Sequence, residues 1–568
     1  MLQFVGTIMK RCTRNGVLVL ILALAAGVFG HALAQSSAPE LILYNARIVT
    51  VNDAFAITEA VAMSRGRFVA VGTNAEIRRL ADSTTRQIDL GGRMVLPGLA
   101  DNHLHDAGGG PGVDLSAARS IDDVLKSVSA WAEKTASGEV IISNSDWHEA
   151  QLKEQRLPLR GDLDRAAPRH PVVLVRGGHE YILNSRALEK WGITKSTAEP
   201  TGGRITRDSS GELNGELVDR ARNLVTLPPP SALTLDQRVA AEVAQHEKLV
   251  AAGLTSIRIP GTSVEQYRAL QEVRRRGLLK VRVNVLLRPD RDLDAAGVRG
   301  WLEQSGVRPD EGDEWLRIGG IKLGLDGGFE GGLMREPYVE PWGEHGTFRG
   351  LQTMPADRYT AITREVNRLG WRVATHAVGD AAIDLVLAGY EAANADRSIV
   401  GRRWSIEHGF IPQPDQLPRI KKLGLELSVQ DHLYLAGPSL VKYWGQKRAF
   451  WTTPVKYYLD AGLPISAGTD SPVVPFNPFW VIYHFVSRDT ITGGVMGADQ
   501  RVPRRDAIRM STIANAHLTF EEREKGSIEA GKLADLIVVD RDILSGPEKD
   551  IENARAVMTV VGGRLVHQ

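Results

Sequence analysis

The stretch Leu96-Pro97-Gly98-Leu99-Ala100-Asp101-Asn102-His103-Leu104-His105 carries an apolar run through a Pro-Gly pair into two histidines at i and i+2. Alternate side chains on a strand share a face. Both imidazoles can therefore face one ion, and neutral imidazole is a common ligand of Zn²⁺. Two unrelated surface histidines would give the same letters; the Pro-Gly pair and the strand end beneath them favour a metal site. With 94–99 as a strand, seven more β runs follow, at 254–259, 281–287, 318–325, 373–376, 404–407, 425–430 and 464–469. Helix-length amphipathic segments lie between most of them, among them 235–252, 264–277, 356–369 and 381–394. Strand-helix alternation at this spacing means α/β class, parallel strands and crossover helices. Eight strands are the number for a closed (β/α)8, TIM-like barrel. A doubly wound open sheet is the alternative, but no G-x-G-x-x-G opens any of these helices.

In such a barrel the C-terminal strand ends meet at one face, where active sites sit. His376 ends the fifth strand, Glu407-His408 the sixth and Asp470 the eighth. Any one of them alone also reads as a core or loop residue; their joint position at strand ends makes them candidates for one metal centre. Lys322 lies inside an apolar strand, where an unpaired ammonium is costly. It reads as a lysine snorkelling at an edge, as a buried free amine, or as an amine carbamylated by CO2 into an anionic ligand able to bridge two cations. Trp147, His179 and His432 are candidates to line the pocket, with packing as the plainer reading of each. Asp380 reads either as a helix N-cap or as a group orienting His376.

Outward from the barrel, residues 39–93 and 525–568 are rich in short β runs with glycine turns, which suggests one small β-sandwich built from both chain ends. The barrel then covers 94–524. The interval from about 107 to 232 is too long for one crossover and holds its own helices (121–135, 185–191) and strands (140–143, 172–176, 203–207). It reads as an α/β insertion after the first strand, covering the barrel mouth. Residues 1–34 have the three parts of a secretory signal peptide: Lys10, Arg11 and Arg14, the apolar run 17–29, and Ala32-Leu33-Ala34. An uncleaved anchor is the alternative, but that run falls short of the ~20 residues that span a bilayer. The expected location is the periplasm or the outside of the cell. Cys12 is the one cysteine, so the exported chain uses neither a disulfide nor a thiol nucleophile.

With 69 basic and 68 acidic residues the net charge is +1, and no long basic run attracts nucleic acid or an anionic membrane. Apolar residues at 43% and charged residues at 24% exclude global disorder and coiled coil. A small-molecule substrate is expected. Oligomeric state has no legible signature.

The set of motifs resembles the metal-dependent amidohydrolase superfamily, in particular the amidohydrolase family 3 branch that includes N-substituted formamide deformylases. The matching segments are 96–105, Trp147-His148-Glu149, Gly178-His179, Asn184-Ser185, 202–205, Lys322 with Asp326-Gly327, 376–380, 406–408, 468–472 and 526–535, nearly the whole chain beyond the leader. The resemblance implies that His103 and His105 bind the more buried metal. A carbamylated Lys322 would bridge, His376 and His408 would bind a second metal, and Asp470 would touch a metal and hold the attacking water. One or two divalent ions per chain are implied, with zinc the expected ion. Two segments depart from the family pattern: Gln430-Asp431-His432 stands where Gln-Pro is common, and the segment after Lys322 is unusually rich in glycine (Gly327, Gly328, Gly331, Gly332). Both bear on substrate contacts rather than on metal binding.

The expected chemistry is hydrolysis of a C–N bond of a non-peptide amide, formamide or cyclic amide by metal-activated water, with Asp470 as general base and then acid. No Gly-x-Ser-x-Gly elbow offers a covalent route. An isomerase or lactonase-type enzyme on the same metal barrel is the alternative, since fold does not fix reaction. A binding protein that lost activity fits less well, because every expected ligand position is filled.

Overall fold

The computed structural model describes residues 38–109, 112–228, 233–339 and 346–568; the leader expected at 1–34 lies outside them. Eight parallel strands form the central sheet: β1 (Leu99–Asp101), β2 (Leu254–Thr262), β3 (Arg282–Leu287), β4 (Leu316–Gly324), β5 (Val373–Ala377), β6 (Ser405–His408), β7 (Glu426–Gln430) and β8 (Ile465–Gly468). Each pairs with its neighbour in chain order. Arg282–Leu287 is buried throughout, as strands covered on both faces are. The seam between β8 and β1 is closed largely by side chains. Asn102 Nδ2 donates to Ser466 Oγ at 2.7 Å, and Asn515 Nδ2 donates to the carbonyls of Ala100 (3.3 Å) and Ala467 (3.0 Å). Gly468 sits in this seam because a Cβ there would lie 2.3 Å from Asp101 Oδ1. The barrel expected from the sequence is therefore present, nearly closed.

The opening strand differs from expectation. Met94–Pro97 is not a barrel strand but pairs with Leu536–Val539 and Arg47–Val49 in another sheet, and the barrel starts at Leu99. The chain changes sheets at Gly98, where a Cβ would meet Thr255 Oγ1 at 2.1 Å. An apolar run with one period conceals such a bend, because both halves are buried.

The two chain ends supply a four-stranded sheet (Arg67–Gly72, Ala60–Ser64, Leu41–Tyr44, Arg86–Asp89) and a six-stranded one (Arg564–His567, Ala556–Val561, Leu536–Val539, Met94–Pro97, Arg47–Val49, Ile57–Thr58). Leu43, Val61 and Phe68 of the first share a core with Val95, Leu536 and Val538 of the second. Arg282 at the start of β3 holds Asp535 by two bonds, at 2.6 and 2.9 Å, and so anchors these sheets to the barrel. The segment after β1 carries a five-stranded sheet: Gly203–Arg207, Leu213–Asp219, Glu180–Leu183, Val172–Arg176 and Ile141–Ile142. Its second and third members are additional to the expected strands. Among the described residues no helix is long and apolar enough to cross a membrane.

Candidate active site

The C-terminal ends of β1 and β8 are locked together first. Asp101 accepts from His103 N (3.0 Å), Thr469 N (3.1 Å) and Thr469 Oγ1 (2.7 Å), while Asp470 N donates to His103 O at 2.6 Å. These bonds bring Asp470 onto the two histidines that follow β1. Its Oδ1 lies 3.2 Å from His105 Nε2 and 3.4 Å from His103 Nε2. Its Oδ2 lies 3.1 Å from His432 Nε2. Asp470 and His408 both occupy the left-handed region, with φ +62° and +74°, a strained backbone that neighbouring structure must hold in place.

The rings are oriented from behind. His103 Nδ1 meets Glu407 Oε2 at 2.7 Å, and Glu407 is held by Arg258 through two bonds of 3.0 Å and by Ser405 Oγ at 2.5 Å. A carboxylate so held accepts from Nδ1–H, which leaves His103 Nε2 with its lone pair forward. His408 Nδ1 meets Gln430 Oε1 at 2.7 Å. The other end of Gln430 donates to Ser428 O and Oγ, so its oxygen must be the end facing His408. His408 Nε2 is then likewise bare. Ring centroids of His103 and His408 are 4.8 Å apart, and those of His376 and His408 4.5 Å. His376 stands beside this group, but its Nε2 faces the carbonyl of Gly327 at 3.1 Å and Asp326 Oδ1 at 3.5 Å. Asp326, not Asp380, is the carboxylate at His376; Asp380 accepts from the N–H groups of Arg335 and Ala381 near the start of the helix Asp380–Asp396, whose N-cap is Gly379.

Burial dominates the electrostatics. It holds His103 down to about 3, and His376 and His408 well below the ordinary imidazole value, so all three are neutral donors of lone pairs. Burial alone would raise Asp470 and Glu407. The histidines around Asp470, and Arg258 and His103 at Glu407, outweigh it and keep both ionised. Lys322 Nζ lies 3.4 Å from His103 Nε2, and burial lowers it to about 7 despite Glu407 and Asp470. Nearby, His103, His408 and Asp470 offer one ligand atom each within 4.8 Å of one another, and Asp470 Oδ1 is buried with no hydrogen-bond donor. Neutral nitrogens and one anionic oxygen converging on a point is a donor set that fits a divalent cation.

Two confluent cavities open on this group. An outer one of about 840 Å³ is lined by His103, His105, Lys322, Arg288 and Arg291 among others. An inner recess of about 390 Å³ runs along His408, Asp470, His432, Phe329, Phe410 and His148. Of the three residues expected in the pocket, His432 and His179 line it and Trp147 does not. Trp147 is wholly buried in the insertion's own core, with Nε1 donating to Val175 O at 2.8 Å. Its neighbour His148 lines the recess instead. His179 is fixed by Asp219, 2.6 Å from its Nδ1. The glycines after β4 make room for that pair: a Cβ on Gly328 would meet His179 Cγ at 2.7 Å, and one on Gly327 would meet Asp219 Oδ2 at 1.9 Å. Arg258, Glu407, Gln430 and Asp326 have supporting roles that sequence reasoning did not assign. A charge inside the apolar strand β2 was the available signal for Arg258.

The model of the amidohydrolase family matches residues 86–567. An N-substituted formamide deformylase of Arthrobacter pascens is 29% identical over 557 residues, covering 93% of this chain and 98% of that protein. The Arabidopsis thaliana protein LONG AFTER FAR-RED 3 is 29% identical over 552 residues, covering 93% and 91%. The crystal structure of an uncharacterised metal-dependent hydrolase from Pyrococcus horikoshii superposes with a TM-score of 0.67 at 25% identity, over 90% of this chain and 99% of that one. Family, fold and the convergent donor set agree: the chain belongs to the amidohydrolase family and is a metal-dependent hydrolase acting on carbon–nitrogen bonds.

Proposed function

We propose that the enzyme hydrolyses a non-peptide amide, formamide or cyclic amide of small size, with water as nucleophile and Asp470 as the proton carrier. The observation that carries this reading is Asp470 Oδ1, an ionised and undonated oxygen between the Nε2 atoms of His103 and His105 at the meeting of the two cavities. His103, His408 and Asp470 would hold a divalent cation, with His105 and His376 completing the set; nitrogen and carboxylate donors without thiolate suit zinc. A cation there supplies Lewis acidity, polarising the carbonyl and acidifying water. Asp470 orients the water, takes its proton, and returns it to the departing nitrogen. His432, 3.1 Å from Asp470 Oδ2, keeps the carboxylate aimed.

Lys322 is proposed to be carbamylated. Its burial and lowered proton affinity give a share of free amine at neutral pH, and that nitrogen can add to CO2 with loss of one proton. The likeness to a formamide deformylase supports a formyl or short acyl group on nitrogen as the reacting end. The charged and apolar pattern of residues 1–34 supports work outside the cytoplasm. A panel of formamides, other amides, lactones and allylic alcohols, assayed with zinc-loaded protein, tests the reading. Turnover of the nitrogen compounds is expected; turnover confined to lactones or to isomerisation would replace it.

A further inference from the structure

The inner recess is apolar on most of its wall, through Phe329, Phe410, Val378 and Val473. His148, only 2% exposed, is a polar exception on that wall. Its Nδ1 accepts the N–H of Ala150 at 3.1 Å, capping the short turn Glu149–Gln151. Glu149 Oε2 also lies 3.3 Å from Nδ1, but with Nδ1 accepting from Ala150 the neutral ring bears its hydrogen on Nε2. Burial keeps the ring neutral, at about 3. Nε2 is itself buried and has no partner among the described residues. A buried donor left unmade costs free energy, and a ligand group that accepts from it recovers that cost. His148 and His432 both stand edge-on to Phe329, with centroids at 6.0 and 5.4 Å, so the ring of Phe329 forms a platform between them.

The neighbouring charge decides which acceptor fits. Arg176 also lines the recess, but Glu149 and Glu180 each sit 2.9 Å from its Nε and Glu330 engages its Nη1. Among the described residues that line the recess, no free cation remains for an anionic group. A protonated amine has no lone pair with which to accept the Nε2–H. A neutral acceptor is left.

Resting on the amide-hydrolysis reading, we propose that His148 sets specificity by donating its Nε2–H to a neutral acceptor on the apolar arm of the substrate. The substrate class is then amides whose arm is a compact ring or chain bearing one ring nitrogen, ether or carbonyl oxygen. The test compares N-benzylformamide with the three pyridylmethyl formamides at pH 8, which share its shape and add one acceptor. Both kcat/KM and calorimetric Kd are measured on zinc-loaded wild type, His148→Asn and His148→Gln. Asn can still cap Ala150 but lacks the forward donor; Gln carries an amide donor forward but loses the cap. In wild type the best pyridyl isomer is expected to gain about tenfold over benzyl in KM and Kd, the size of one neutral hydrogen bond. His148→Asn should bring the ratio within twofold, while His148→Gln keeps part of the preference. A wild-type ratio near one, or a ratio that His148→Asn leaves intact, overturns the proposal. Selective binding without turnover of any formamide would keep it and remove the reaction reading instead.

Discussion

Two buried polar clusters lie a short way apart in this molecule, and they resolve their charge differently. At the barrel mouth, each group that orients a ring has its own partner: Glu407 is gripped by Arg258, Gln430 by Ser428. What converges on one place there is a ring nitrogen each from His103 and His408 and an oxygen of Asp470, whose Oδ1 has no hydrogen-bond partner among the described residues. Where the insertion meets the barrel, Glu149 and Glu180 of the insertion and Glu330 from the segment after β4 surround Arg176, which fills the cation's position itself. Burial, with the other carboxylates, raises Glu180 well above the usual carboxylate range and raises Glu330, while Arg176 overcomes burial at Glu149 and holds it to about 2. Clustering of ionisable groups is thus common to both. Ring nitrogens converging with a carboxylate oxygen beside a cavity mark the first, and that is the donor set of a metal centre.

The largest expected effect breaks the first cluster at its oxygen. Asp470→Asn should lower kcat about a thousandfold, the usual share of acid–base catalysis, while elemental analysis still finds metal. Unchanged turnover would remove Asp470 from the chemistry. Next, removing the guanidinium from each cluster separates their roles. Arg258→Met and Arg176→Met should each cost about 3–5 kcal/mol in chemical denaturation, since each strands buried carboxylates. Arg258→Met alone should also shed metal, through the lost hold on Glu407 and His103; metal loss in both variants would erase the distinction. Lys322→Ala should lower activity about 10–100-fold, with partial recovery on adding a short carboxylic acid. No recovery would leave the carbamate unsupported.

The smallest effect concerns a histidine of neither cluster. His246 is 1% exposed with both ring nitrogens unpartnered, and burial lowers it to about 4 from an ordinary 6.5. Below about 6.5 the unfolded chain takes a proton that the folded ring refuses. Stability is therefore lost as pH falls from about 6.5 toward 4, by up to ~3 kcal/mol. His246→Leu should flatten that slope in melts run between pH 4.5 and 8, with activity untouched; an unchanged slope would assign the acid sensitivity elsewhere.

The barrel was legible because parallel strands buried on both faces read as continuous apolar runs, and the polar residues that end them stand out. His103, His408 and Asp470 were read in this way, and so was Lys322 within its strand. Arg258 carried the same mark inside β2. Gly98 was not legible as a bend, since Met94–Pro97 and Leu99–Asp101 are equally apolar and only the approach of Thr255 separates them. Trp147 and His148 differ by one position. Which of them faces the recess depends on how the insertion seats on the barrel, a non-local contact with no local signal. The partners of His376 were hidden for the same reason: Asp326 reaches it from the loop after β4, fifty residues earlier in the chain.

His103, His408 and Asp470 are proposed to share one cation. Anomalous diffraction at the zinc edge from crystals of the zinc-loaded enzyme tests this. The expected result is a peak bounded by the Nε2 atoms of His103 and His408 and by a carboxylate oxygen of Asp470. A loaded crystal whose peaks all lie away from these three residues would contradict it.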